Sequence, residues 1–259
     1  MPADGIRARS ARRKATDLSA PDRADEGTGD GLVIWHPSPC HGARRGGLRP
    51  DLLLIHFTNM KSAEAALARL CDPVAEVSCH YLIAEDGRVW HLVDEAERAW
   101  HAGQGSWRGA GDVNSRSVGI ELSNRGAHPF AAPQMRALER LMRGIMARWD
   151  IPPEGVIGHS DIAPGRKDDP GPHFDWRRLA LQGLAIWPSG GTGAPVPSDQ
   201  FRTLAGRAGY GAEFSDADVL RAMRLRWRPW AKGPRGPDDM IVLADIAARF
   251  GVDRDGAGA

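Results

Sequence analysis

Two short apolar runs in this 259-residue chain each end in a histidine, and a third carries a carboxylate at its centre. Asp51-Leu-Leu-Leu-Ile-His56 and Val156-Ile-Gly-His159 place an imidazole at the end of a predicted buried strand. Ligands and catalytic groups collect at that edge of a parallel sheet. After His159 comes Ser-Asp-Ile-Ala-Pro-Gly-Arg-Lys-Asp-Asp-Pro-Gly-Pro172, a loop with three carboxylates and a lysine. Its two Pro-Gly pairs can turn it back on itself, bringing a carboxylate about ten residues on to the point that His159 faces. Two neutral imidazoles and one aspartate, Asp168 or Asp169, suit zinc, and three protein ligands leave a fourth position for water. Such an ion acidifies its bound water. Glu121, in Ser117-Val-Gly-Ile-Glu-Leu122, is a carboxylate in an apolar strand. It must be paired there or have a raised pKa, and a raised carboxylate beside activated water is a general base. Lys167 can stabilise an oxyanion or merely be a solvated loop lysine. No HExxH helix, phosphate-binding loop, dinucleotide fingerprint or nucleophile elbow is present. Cys79 and His80 are adjacent on a strand, face opposite ways and cannot form a dyad.

The elements that must hold these groups alternate. Strand 51–56 is followed by a short helix from Ser62, a potential N-cap, to Leu70. Cys79–Ala84 and Arg88–Val93 read as a hairpin joined by Glu85-Asp86-Gly87. Strand 117–122 follows, then a helix over 133–149 with apolar residues at 135, 138, 141, 142, 145, 146 and 149, and then strand 156–159. This order predicts an α/β fold, a mixed central β-sheet flanked by helices. Residues 188–199 read as a linker. Residues 200–250 read as a small helical unit, free-standing or packed on the first, with helices near 216–227 and 238–250. Asp216 and Asp238 are the expected N-caps and Gly251 the C-cap.

Net charge is +1, from 34 basic and 33 acidic residues, so the total charge gives no attraction to nucleic acid. No run approaches the roughly 18 apolar residues of a membrane span, which excludes an integral membrane protein. The first 30 residues hold six basic and six acidic side chains and no apolar stretch, so they read as a disordered tail, not a signal peptide. The expected location is the cytoplasm, or the periplasm or cell envelope if the chain start is misassigned. Cys40, Cys71 and Cys79 make no disulfide framework, and free thiols are expected over a Cys71–Cys79 bridge.

Five stretches, in order, resemble one family. They are Leu53–Thr58, Ser78–Val89, Ala99-Trp-His-Ala-Gly103, Asn114–Glu121 and Gly158–Pro172. The chain is similar to the type-2 zinc N-acetylmuramoyl-L-alanine amidases, related to phage T7 lysozyme and to peptidoglycan-recognition proteins. The resemblance implies an amidase domain over 31–187 with His56, His159 and Asp169 as Zn2+ ligands, deciding Asp169 over Asp168. It makes Glu121 the base and Lys167 the oxyanion-stabilising group, and it places His101, Trp100 and Asn59 in the substrate cleft. The implied substrate is peptidoglycan or its turnover fragments, cut between the lactyl group of N-acetylmuramic acid, or its anhydro form, and L-alanine. Aspartate at the third ligand position, Gly-Arg-Lys-x-Asp-Pro-Gly and Ser38-Pro39 resemble the bacterial branch, and a cell-wall recycling role in a monomer is expected. A recognition module that binds without cutting, and a prophage endolysin, are the competing expectations. Residues 200–250 resemble a peptidoglycan-binding-like domain through Phe201, Gly209-Tyr-Gly211 and Arg226-Trp-Arg-Pro-Trp230. There Trp227 and Trp230 either stack on sugars or form core. The segment 251–259 is expected to be a tail.

Overall fold

The computed structural model describes residues 33–190 and 196–252; the tail expected at 1–30, residues 253–259 of the tail expected at 251–259 and the centre of the linker lie outside the described residues. Among the described residues there are eight strands, β1 Val33–Trp35, β2 His41–Ala43, β3 Leu52–Phe57, β4 Tyr81–Ile83, β5 Val89–His91, β6 Glu97–Ala99, β7 Ser117–Leu122 and β8 Val156–Gly158. Six form the main sheet in the order β1-β5-β4-β7-β3-β8, and β2 pairs with β6. In the main sheet β4 and β5 form the antiparallel hairpin read from Glu85-Asp86-Gly87, and the other neighbours are parallel. The expected mixed sheet flanked by helices is therefore what the chain adopts.

Leucine after leucine in β3 reflects burial on both faces. Period-two alternation sends Leu53 and Ile55 to one core and Leu52 and Leu54 to another. The first core is closed by α3, Ala132–Trp149, through Met135, Leu138, Met142 and Ile145. Helix α1, Ala63–Leu70, begins as expected at Ser62, whose hydroxyl accepts from the Ala65 amide. Three shorter helices carry little periodicity: α2 Val113–Arg116, α4 His159–Ile162 and α5 Trp176–Ala180. His159 therefore opens a helical turn, whereas the apolar run read it as the end of a strand.

The other face of β3 is covered by α6 Phe201–Ala208, α7 Asp216–Trp227 and α8 Pro237–Phe250. Phe201, Tyr210, Met223, Trp227 and Leu243 share one buried cluster with Leu52, Leu54, Trp107, Ile157 and Ile162. Trp227 is core, and Trp230 is exposed. Helix α7 is capped by Ser215, not Asp216, and α8 starts after Gly236 with Pro237 at its first position. Gly251 follows α8 in extended, not left-handed, backbone. All three cysteines are free, and Cys40 and Cys79 are buried. Among the described residues no helix is long and apolar enough to cross a membrane.

Candidate metal centre and catalytic cleft

The carboxyl ends of β3, β7 and β8 meet at one point. In register, His56 of β3 lies beside Glu121 of β7, and Gly158 of β8 lies beside Ile55. Alternation puts His56 on the face of Leu52 and Leu54, and Glu121 on the face away from Val118, Ile120 and Leu122. After β8 the chain turns into α4, where the Gly158 amide donates to Asp161 Oδ2 at 2.8 Å. The loop beyond α4 reverses through Gly165 and Gly171, both at positive φ, which glycine adopts without strain. The Ser160 amide then donates to the Asp169 carbonyl at 2.9 Å, closing the loop.

This closure brings three buried atoms together. His56 Nδ1 lies 3.0 Å from His159 Nδ1 and 2.8 Å from Asp169 Oδ2, and His159 Nδ1 lies 3.2 Å from the same oxygen. Their partners decide which nitrogens carry hydrogen. His159 Nε2 faces the Ala102 carbonyl at 2.9 Å. A carbonyl only accepts, so Nε2 donates and Nδ1 keeps its lone pair. For His56 the same logic runs through two more residues. Ser117 Oγ donates to the Val113 carbonyl at 2.6 Å, and so it accepts from His101 Nε2 at 3.3 Å. His101 Nδ1 is then bare and accepts from His56 Nε2 at 3.0 Å, leaving His56 Nδ1 bare too. Two nitrogen lone pairs and a carboxylate oxygen facing one another repel unless a cation sits among them. His56, His159 and Asp169 are the metal-capable group among the described residues.

The surroundings keep these groups in the needed forms. Burial lowers the His56 pKa to about 4, so the ring is neutral at pH 7. Burial, then the neighbouring His56 and His80, hold His101 well below the usual histidine range. Glu121 moves the other way. Burial, then the Asp169 charge, raise its pKa to about 8 against the opposing pull of Lys167. Its Oε2 is buried without a hydrogen-bond partner, a carboxyl oxygen held ready for a group the protein does not supply. Cys79 is pushed well above the ordinary thiol value by burial and then by Glu121, which removes it as a nucleophile.

A cleft of about 440 Å3 opens over the cluster, and Asn59, Trp100, His101, Glu121, Lys167 and Asp168 line it with the three metal-capable residues. Every site residue expected from the sequence thus reaches one cleft, with Asp168 turned to Arg221 and Asp169 inward. His101 also lies beneath His56 as its hydrogen-bond partner, a placement its motif did not reveal. Asn114 and Ser117 carry roles that their residue types do not signal. Asn114 Oδ1 accepts from the His101 and Ala102 amides at 3.0 and 2.8 Å, fixing the loop against which both histidines rest. A larger cavity of about 610 Å3, lined by Trp176, Trp187 and Trp230 among others, contains none of the metal-capable residues.

Comparison with known proteins agrees with this geometry. The family model described as N-acetylmuramoyl-L-alanine amidase matches residues 46–172. The chain is 36% identical over 237 residues to N-acetylmuramoyl-L-alanine amidase AmiD of Escherichia coli K12, spanning 79% of this chain and 85% of that protein. It is 35% identical over 160 residues to 1,6-anhydro-N-acetylmuramyl-L-alanine amidase AmpD of Enterobacter cloacae, spanning 55% of this chain and 86% of that protein. The solved complex of E. coli AmiD with anhydro-N-acetylmuramic acid-L-Ala-D-gamma-Glu-L-Lys superposes with a TM-score of 0.73 at 35% identity, covering 82% of this chain and 93% of that one. Converging lone pairs, a proton-holding glutamate and these relatives lead to one assignment: the chain belongs to the type-2 N-acetylmuramoyl-L-alanine amidase family.

Proposed function

We propose that this protein hydrolyses the amide between the lactyl carbonyl of N-acetylmuramic acid, or its anhydro form, and L-alanine, with zinc held by His56, His159 and Asp169. The observation that carries the reading is the meeting of two bare imidazole nitrogens and a carboxylate oxygen within 3.2 Å, beside an unpaired glutamate in an open cleft. The donor set fits the ion: two neutral nitrogens and one carboxylate suit zinc, whereas calcium and magnesium take mostly oxygen. Bound there, zinc supplies Lewis-acid polarisation of the scissile carbonyl and acidifies water.

The chain's own groups do the rest. Glu121 takes the proton of the attacking water and hands it to the departing amine, and a carboxylate whose pKa is raised toward neutrality balances uptake against release. Lys167, on the cleft rim, offers its ammonium to the developing oxyanion. Asn59 and Trp100 border the cleft where the muramoyl peptide would lie. The substrate class comes from the relatives, whose names and bound ligand specify muramoyl-L-alanine amides.

The test is direct. Purified protein is expected to carry about one zinc per chain and to release free peptide from anhydromuramoyl-tripeptide, read by mass spectrometry. Chelation is expected to stop release, and zinc to restore it. A protein that binds the fragment and leaves it intact would be a recognition module, and the hydrolytic reading would fall. Parallel digestion of intact peptidoglycan and of anhydro-fragments assigns the preferred form.

A further inference from the structure

The segment from His159 to Asp169 leans on one helix, α7, which lies outside the stretch 46–172 matched by the family model. Arg226 of α7 donates to Asp161 Oδ2 at 3.0 Å and to the Val156 carbonyl at 2.7 Å. Tyr210, in the turn before α7, donates to Asp161 Oδ1 at 2.9 Å. Arg226 and Asp161 are 1% and 0% exposed. Farther along, Arg221 makes two hydrogen bonds to Asp168, at 2.9 and 2.6 Å. Gly165 passes so close to α7 that a Cβ there would lie 2.6 Å from Asp218 Cγ. The contacts fall at 161, 165 and 168, interleaved with His159, Lys167 and Asp169. Their partners at 218, 221 and 226 occupy an arc of about 140° on a helix with 3.6 residues per turn.

We propose that α7 is a positioning element of the metal centre and that Arg226 is its main positioning residue, acting through Asp161 on His159. The inference rests on the assignment of His159 and Asp169 as ligands. A buried ion pair adds little net stability compared with an apolar pair of the same size, and its contribution is direction. Here both oxygens of Asp161 are taken, by Arg226 and the Gly158 amide on one and by Tyr210 on the other, so the turn that begins at His159 has one orientation. A one-turn helix of four residues cannot hold that orientation by itself.

If Arg226 merely fastened the terminal helices to the sheet, its loss would lower stability and leave zinc affinity alone while the protein stayed folded. Zinc dissociation constants are therefore measured on the full chain by competition with a chromophoric chelator, beside thermal unfolding of the metal-free protein. Arg226→Met is expected to weaken zinc binding by roughly 10- to 100-fold at a temperature where it is fully folded. Tyr210→Phe, which removes one hydroxyl, is expected to weaken it at least about threefold. Leu243→Ala loosens the same helical unit from α8 and is expected to lower Tm while keeping zinc affinity within about twofold of the parent. Unchanged affinity in both Arg226→Met and Tyr210→Phe would overturn the inference, as would an equal loss in Leu243→Ala. Should Arg226→Met fail to fold, Tyr210→Phe against Leu243→Ala decides. Full zinc affinity in His159→Ala or Asp169→Ala would instead sink the ligand assignment, a separate failure.

Discussion

Glu121 is half-buried, its Oε2 is enclosed and unpaired, and it lies beside Asp169; each of these raises the cost of its charge. Glu121→Gln is expected to lower kcat by at least about 100-fold with zinc content unchanged, as shown by metal analysis beside a peptide-release assay. The same residue sets a pH dependence. Its pKa is about 8 folded against an ordinary 4.5, so the native state keeps a proton that the unfolded chain releases. Stability of the metal-free protein therefore falls as pH rises from about 4.5 to about 8. Relative to Glu121→Gln, the parent is expected to lose on the order of 3 kcal/mol between pH 4.5 and pH 7, measured by denaturant titration. Asp169 and Asp168 are neighbours with opposite fates, one buried against two imidazoles and one exposed against Arg221. Asp169→Ala is expected to lose zinc and Asp168→Ala to keep it; equal loss in both would count against this register. Residue types alone left that choice open, because both aspartates sit in one loop; the family resemblance pointed to Asp169, and the folded path of the loop turns it inward.

The long elements could be read because their patterns are long. Strand β3, the α3 periodicity and the Glu85-Asp86-Gly87 hairpin all follow from burial alternation, 3.6-residue spacing and turn chemistry. Six short ones could not: β1, β2, β6, α2, α4 and α5 span three to five residues, too few to show a period, whereas a turn signal marked β4 and β5 and an apolar run marked β8. The hydrogen-bond direction from Val113 through Ser117 and His101 to His56 likewise appears only when α2, β7 and β3 are assembled. At Gly119 on β7, strand and site meet. A Cβ there would lie 2.5 Å from His101 Nδ1, and that ring is wedged between His56 and Ser117. Gly119→Ala is expected to cost about 1–3 kcal/mol in thermal unfolding and to weaken zinc binding, because His101 cannot both move and keep its bond to His56. Wild-type zinc affinity in that variant would show that His101 does not orient His56.

The small terminal unit shares its interior with the sheet, and the linker composition gave no sign of this. A chain ending at residue 190 would expose Leu52, Leu54, Trp107, Ile157 and Ile162 together. Each large apolar side chain contributes about 1.5–3 kcal/mol on burial. The shortened protein is expected to bind a hydrophobic dye and to unfold well below the parent, and a parent-like melting profile would contradict this packing. The seam has a further consequence. It is large, apolar and pinned by a buried ion pair, so the covalent joint between its two sides is dispensable once they have met. Two polypeptides covering residues 1–190 and 196–259, produced separately and mixed, should reassemble by complementation, with recovered peptide release reporting the association.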